Sequence, residues 1–283
     1  MKKLNSIFLI FALSITIISC DKSDNPADPI IPNYDKQTEL AKDYSFAQDA
    51  YSDVFDLLCQ ASVDSALKSP SHSSVIGGAN VTYNPATKTY VFNFPSKSTN
   101  GKVGNFSAVL DKNGDFLEIG TKAAITFDNY SVGGSLIKGT NNIINKNVSN
   151  KNTATGVTYS YTDSIQNSMI IRGTDTIFVN AAYTVDWELH NLLDINDDQY
   201  WYSGNISGYS NPNKSFTAIV PASSRVLVAA ACQWIQSGII TATTHTLDEN
   251  NAPKTTTMII NFGTGCDKQV QITIDGTIAT FDM

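Results

Sequence analysis

At 283 residues and 30.7 kDa the chain is long enough for one large domain or two modest ones with a real core, so no framework of multiple disulfides is needed to hold it. Charged residues make up only 16%, below the ~25% usual in globular proteins, while Ser, Thr and Asn are abundant, a mix that suits strands and turns. A net charge of −7 and a pI near 4.8 argue against a phosphate backbone as partner and set nucleic-acid binding aside.

Met1-Lys2-Lys3 is a short positive head, and Leu4 to Ile18 is almost unbroken apolar sequence ending at Ser19-Cys20. This is the pattern of a secretory signal, and the run is shorter than the ~20 residues that span a bilayer. The stretch before Cys20 resembles the lipobox of bacterial lipoproteins, which implies lipidation of Cys20 and cleavage of residues 1–19 just before it. Loss of Lys2 and Lys3 takes the net charge from −7 to −9. Several acyl chains on one cysteine, at ~0.8 kcal/mol per buried methylene, would hold the protein on a membrane without a spanning segment. Residues 20–38, with Pro26, Pro29, Pro32 and repeated Asp, are expected to form an acidic extended tether. The start of that tether, CDKSD, resembles the acidic surface-export signal of Bacteroidota lipoproteins.

Residues 39–69 are expected to form one amphipathic helix. Phe46, Ala50, Val54, Leu57, Leu58 and Ala61 recur at helical spacing, and Asp49, Ser52, Asp53, Asp56, Gln60 and Asp64 fill the opposite arc. Pro70 stops it, and its acidic polar face suits packing on a sheet rather than on a membrane. From residue 75 to the end the chain reads as strands and turns. Hairpins are expected around Asn84–Thr87 and Asp111–Gly114, and a third around Asp275-Gly276, where Val270, Ile272 and Ile274 alternate with Gln271 and Thr273. One buried and one wet face is the mark of antiparallel sheet. The Asn-rich stretch 141–156 is the candidate for a long internal loop. The expected fold is therefore mainly β, an antiparallel sandwich or stacked sheets, with one N-terminal amphipathic helix packed on it.

The C-terminal third, with CQWIQSGIITATT followed by MIINFGTGCDKQVQITIDG, resembles a group of uncharacterised Bacteroidota lipoproteins of the Flavobacteria and Sphingobacteria type. The segment ITFDNYSVGGSLIKGT is similar to a second block of that group. The resemblance implies an all-β fold with an N-terminal helix and an outer-membrane lipoprotein, facing either the periplasm or the cell surface. It implies no reaction.

With Cys20 assigned to lipid, Cys232 and Cys266 form a plausible disulfide in an oxidising compartment, and Cys59 reads as a small buried hydrophobe on the helix. His72, His190 and His245 are far apart and form no local ligand pair. The run Asp194 to Asp198 starts like a calcium loop but has Gln199 where the glycine belongs, so an acidic turn is the plainer reading. No GxSxG, P-loop or GxGxxG spacing occurs, so no residue is assigned to catalysis, cofactor or metal; paired carboxylates for hydrolysis depend on the fold rather than on a local motif. Tyr200, Trp201, Tyr202 and Tyr209 are candidate glycan contacts, although Tyr200 and Tyr202 must share a face opposite Trp201. Three Asp-Ser/Thr-Ala/Ile triplets, at 64–66, 163–165 and 175–177, resemble the O-glycosylation motif of Bacteroidota exported proteins. The chain thus reads as a non-catalytic structural or binding module, attached to the membrane by its anchor, with a glycan or a protein on the cell surface as partner; the alternative is a glycan-binding or adhesive surface module, and an extracytoplasmic hydrolase with paired carboxylates ranks behind both. Replacing Cys20→Ala is expected to abolish metabolic labelling with an acyl analogue, and labelling that persists would refute lipidation at that residue.

Overall fold

The computed structural model describes residues 34–96, 101–111, 115–153, 156–190, 195–211, 214–232 and 234–283. Residues 1–33, which hold Cys20 and most of the expected tether, lie outside the described residues. The first element is a 29-residue helix, α1 (Asp35–Val63). It begins inside the stretch read as tether and ends earlier than residue 69, because Asp64 turns extended and caps a separate short helix, α2 (Ser65–Lys68), accepting from the Ala66 N–H at 2.6 Å.

Among the described residues, sixteen strands follow. The first group is β1 (Ser73–Ile76), β2 (Ala79–Asn84), β3 (Thr89–Phe94), β4 (Lys102–Leu110) and β5 (Lys122–Val132). Four long strands come next: β6 (Ser135–Thr153), β7 (Gly156–Arg172), β8 (Asp175–Leu189) and β9 (Gln199–Asn211). The last group is β10 (Lys214–Val220), β11 (Val226–Ala229), β12 (Ile235–Ser237), β13 (Ile239–Leu247), β14 (Pro253–Asn261), β15 (Gln269–Ile274) and β16 (Thr277–Asp282).

All sixteen join one antiparallel sheet, with β1 to β10 in chain order and then β13 to β16. This differs from the stacked sheets expected of a sandwich. Alternation identifies one buried face per strand but not what covers it, and here the cover is α1. Its side chains meet nearly the whole sheet. Phe55 touches the rings of Tyr161, Tyr200 and Tyr202 on β7 and β9, and Tyr51 touches Phe127 on β5. Tyr44 packs on Phe216 of β10, Gln37 reaches Thr246 and Thr256 on β13 and β14, and Lys42 lies over Phe281 of β16. The sheet therefore curls around the helix instead of lying on one side of it.

Enclosure explains why α1 is buried on more than its apolar arc. Ser45, Ser52 and Ser62 are fully buried, and each hydroxyl donates back to a carbonyl three or four residues earlier, at 2.7–2.9 Å. Such local bonds let small polar residues enter a core without an unsatisfied donor. Beyond its exposed first turn, with Asp35, Lys36 and Glu39, the helix leaves partly accessible a narrow stripe carrying Lys42, Phe46, Asp49, Asp53, Asp56 and Gln60.

Two further expectations change. The Asn-rich stretch is not a loop: β6 runs to Thr153 and pairs with β7, and the inward Asn141, Ile143 and Asn145 keep a period of two. Asn145 can be buried because its amide donates to the carbonyls of Phe116 and Leu117. Nor does Phe116–Ile119 form a hairpin arm. It turns back, Phe116 enters the core against Phe55 and Tyr161, and β5 is the true partner of β4. The disulfide between Cys232 and Cys266 is present, with Cα atoms 5.6 Å apart, and Cys59 is a buried free thiol.

Phe55 is fully buried at the centre of this packing, so Phe55→Ala is expected to destabilise the protein by about 3–5 kcal/mol in urea unfolding. A loss below about 1 kcal/mol would contradict the enclosure of α1, since Phe46→Ala, at the accessible stripe, should cost far less.

Candidate functional site

The aromatic quartet of β9 divides as strand alternation requires. Tyr200 and Tyr202 point inward and are fully buried; the Tyr200 hydroxyl donates to Asp56 and its ring packs on Phe55 and Trp187. They cannot contact a ligand on the surface, which corrects two of the four candidate glycan residues. Trp201 and Tyr209 face outward. The Arg225 guanidinium lies 5.0 Å from the Trp201 ring centre and is held by Asp186 at 2.6 Å. Tyr209 is 45% exposed and stacks on Phe178 of β8, with ring centres 4.8 Å apart. Eight strand residues at ~3.3 Å each put the two rings about 26 Å apart.

Between them lies an open concavity of about 610 Å³ on the outer face of β7, β8, β9 and β10. Its polar lining comes from Ser164, Gln166, Asn180, Asn205, Ser207 and Thr217. These groups sit in register: Asn180 pairs with Ser207 and Ser207 with Thr217, while Ala182 pairs with Asn205 and Asn205 with Ile219. A bulge in β7 between Ile165 and Ser168 raises one rim, where the Asn167 N–H is held by the Asn180 side chain at 3.1 Å. Ala182 is short enough to leave the floor open. No charged side chain lines the concavity, so it offers neutral hydroxyls and amides with an aromatic ring beyond each end.

Gly204 matters to this surface. It has φ +136°, and a Cβ there would stand 2.2 Å from the Ala182 carbonyl oxygen. Past it β9 changes partner, pairing with β10 from Gly204 onward and with β11 through Gln199–Tyr202. Only glycine permits that approach, which sequence inspection alone did not single out.

The accessible stripe of α1 is a second candidate. Asp53 binds Lys102 at 2.5 Å and accepts from the Tyr130 hydroxyl at 3.2 Å, and Asp56 accepts from Tyr200 and from Gln60. Burial, reinforced by Asp53, pushes the Asp49 carboxyl up to about 7. Burial also pushes Asp56 up to about 6, against the hydrogen bonds from Tyr200 and Gln60. The sequence placed these carboxylates on a solvated face, and the curl of the sheet is what half-buries them.

A third cluster joins His190, Asp197 and Asp198, whose ligand atoms lie within 4.8 Å of one another. Asp198 is buried, accepts from the Trp187 indole at 2.8 Å, and is raised to about 6 by burial. Asp194 of the expected acidic turn lies outside the described residues. The other two histidines stand elsewhere, His72 against the Leu67 carbonyl and His245 against Thr255. Of the glycosylation-like triplets, Asp64 is a helix cap and Asp163 is buried inside the sheet, so neither belongs to an exposed turn.

Comparison of the chain with known protein families, with curated proteins and with solved structures finds no match.

A carboxyl raised above its unfolded value of about 3.9 stabilises the fold most below that value and loses the contribution as pH rises through the folded value. For Asp49 and Asp56 this window runs from about pH 4 to about pH 7. Thermal unfolding should therefore show a midpoint that falls across that window, and Asp49→Asn should fall less steeply. Equal slopes in the two proteins would show that Asp49 carries no such proton.

Proposed function

We propose that this protein is a non-catalytic binding module of the cell envelope that takes a neutral glycan chain on the outer face of β7 to β10. The observation that carries this reading is the uncharged concavity between Trp201 and Tyr209. Sugars present hydroxyls that need partners of both kinds, and Asn, Gln, Ser and Thr each donate and accept. Their ring faces pack on aromatic side chains, which combine apolar area with a fixed plane. A charged ligand would find no partner in the floor, and Arg225 and Asp186 already satisfy each other.

An anchor at Cys20 would place this face in the environment where such chains occur, and the likeness of the C-terminal third to Bacteroidota lipoproteins supports an outer-membrane position. The tether would then hold the β domain away from the bilayer. A hydrolytic reading has weaker support. Asp53 and Asp56 are engaged by Lys102, Tyr130, Tyr200 and Gln60, and with Asp49 they lie on α1, away from the outer concavity.

The test is a glycan array probed with the chain lacking residues 1–20, followed by titration of the best neutral oligosaccharide. Tyr209→Ala and Asn205→Ala, both at exposed positions, should each weaken binding about tenfold or more, equivalent to ~1.4 kcal/mol, without moving the thermal midpoint. Absence of any neutral glycan binding, or binding indifferent to both substitutions, would reject the assignment.

A further inference from the structure

Opposite the outer concavity, the inner face of the same strands carries an unusual polar layer. Asp163 on β7 is 1% exposed, and its neighbours across the sheet follow from the register. Tyr183 on β8 stands directly opposite, Asn141 on β6 is offset by one inward position from Ile143, and Tyr202 on β9 is the next inward residue beyond Tyr183. From α1, Tyr51 faces the same carboxyl and also the Ser168 hydroxyl, Ser52 approaches the Tyr202 hydroxyl, and Tyr44 approaches that of Tyr183. Neither Asp163 oxygen closes a hydrogen bond of normal geometry; the same holds for both amide atoms of Asn141 and for the hydroxyls of Tyr51, Tyr183 and Tyr202. The Asn141 amide is close enough to ease ionisation of the carboxyl, and no lysine, arginine or histidine is among the groups that act on it.

This arrangement is expensive as it stands. Buried polar groups are almost always paired, and a buried charge without a partner is strongly unfavourable. The side chains come from β6, β7, β8, β9 and α1, so no single rotamer change satisfies them all. We propose that this layer is an internal site for a monovalent alkali cation, coordinated by Asp163, the Asn141 side-chain oxygen and the phenolic oxygens of Tyr51, Tyr183 and Tyr202, with water filling the remaining positions.

The donor set decides the ligand class. Every donor is oxygen, which suits hard cations and excludes the softer metals that prefer nitrogen or sulfur. A single carboxylate matches a single positive charge. Burial pushes the Asp163 carboxyl up to about 7, so a proton neutralises it below that pH and a monovalent cation is the competing partner above it, whereas a divalent ion would leave one net charge uncompensated in the interior. The site is independent of the glycan reading, since alternation of β7 sends Asp163 inward and Ser164 outward.

The experiment measures thermal midpoints of the mature chain at pH 8, where protons compete least, in sodium, potassium and choline chloride at equal ionic strength. One alkali ion should raise the midpoint over choline by about 2–4 °C, because an ion that binds only the folded state stabilises it. Asp163→Asn should remove the difference and Tyr202→Phe should shrink it. Crystals soaked in thallium(I) should show anomalous density within bonding reach of Asp163. Identical midpoints in the three salts, or a salt difference that persists in Asp163→Asn, would overturn the proposal. If Asp163→Asn does not fold, Tyr202→Phe and the thallium soak decide: an interior without anomalous density rejects the site.

Discussion

The enclosure of α1 by one curled sheet is the constraint from which the rest follows. A helix covered on one side needs one apolar stripe, whereas a helix covered on most sides must fit a tube of fixed bore. The chain meets this with small helix residues, Ala41, Ala47, Ala50 and Ala61, and with large rings reaching in from the strands, Phe92, Phe106, Tyr130, Tyr161, Tyr200 and Tyr202. Many of those rings are tyrosines, and a tyrosine that spans the gap delivers its hydroxyl to the helix surface. Some hydroxyls find a carboxylate there, as Tyr130 finds Asp53 and Tyr200 finds Asp56. Others meet one another around Asp163. The interior polar layer is thus a geometric consequence of filling a wide bore with hydroxylated rings.

The charged contacts of α1 have a related role. Asp43 binds Arg172 at the end of β7, Asp53 binds Lys102 on β4, and Glu39 binds Lys214 at the start of β10. The first two pairs are partly buried and the third is the most exposed; a solvent-exposed pair adds only about 0–1 kcal/mol, and burial adds a desolvation cost to the others. Their partners are spread around the sheet, so each selects one rotation and one axial position of a helix whose apolar contacts are nearly cylindrical. Specificity of placement, more than stability, is what such pairs can supply here.

Much of this was readable in the residues. Strand periods in Val270–Ile274 and in the run around Tyr200, the Asp275-Gly276 turn and the Cys232–Cys266 bridge depend on local pattern or on counting, and these survive folding unchanged. Even the division of the aromatic quartet followed from parity, since 201 and 209 are both odd. What was not readable needed register or closure. Alternation reports that Asp163 and Asn141 are on strands, but only the pairing of β6, β7 and β8 sets them beside Tyr183. Serines back-bonded to α1 made a surrounded helix look half-solvated, and the run of asparagines in β6 hid a buried alternation behind a loop-like composition.

The outer surface depends on how the sheet is allowed to split. If β9 kept a single partner along its length, β10 would run beside Trp201 in place of the β11–β12 hairpin. Gly204 permits the change of partner by letting the β8 backbone come within reach where any side chain would collide. The short β11–β12 hairpin then flanks Trp201, placing Leu227 opposite it and Arg225 over its ring. So small a hairpin is weak alone. The connection between its two strands carries Cys232, and the bond to Cys266 ties it to the loop beyond β14, closing a 34-residue span that the chain-entropy estimate values at roughly 3–4 kcal/mol. The disulfide therefore does more than add stability to a sheet already large enough to fold: it holds the one strand pair that leaves the main path, and with it the cation that orients Trp201 at the edge of the groove.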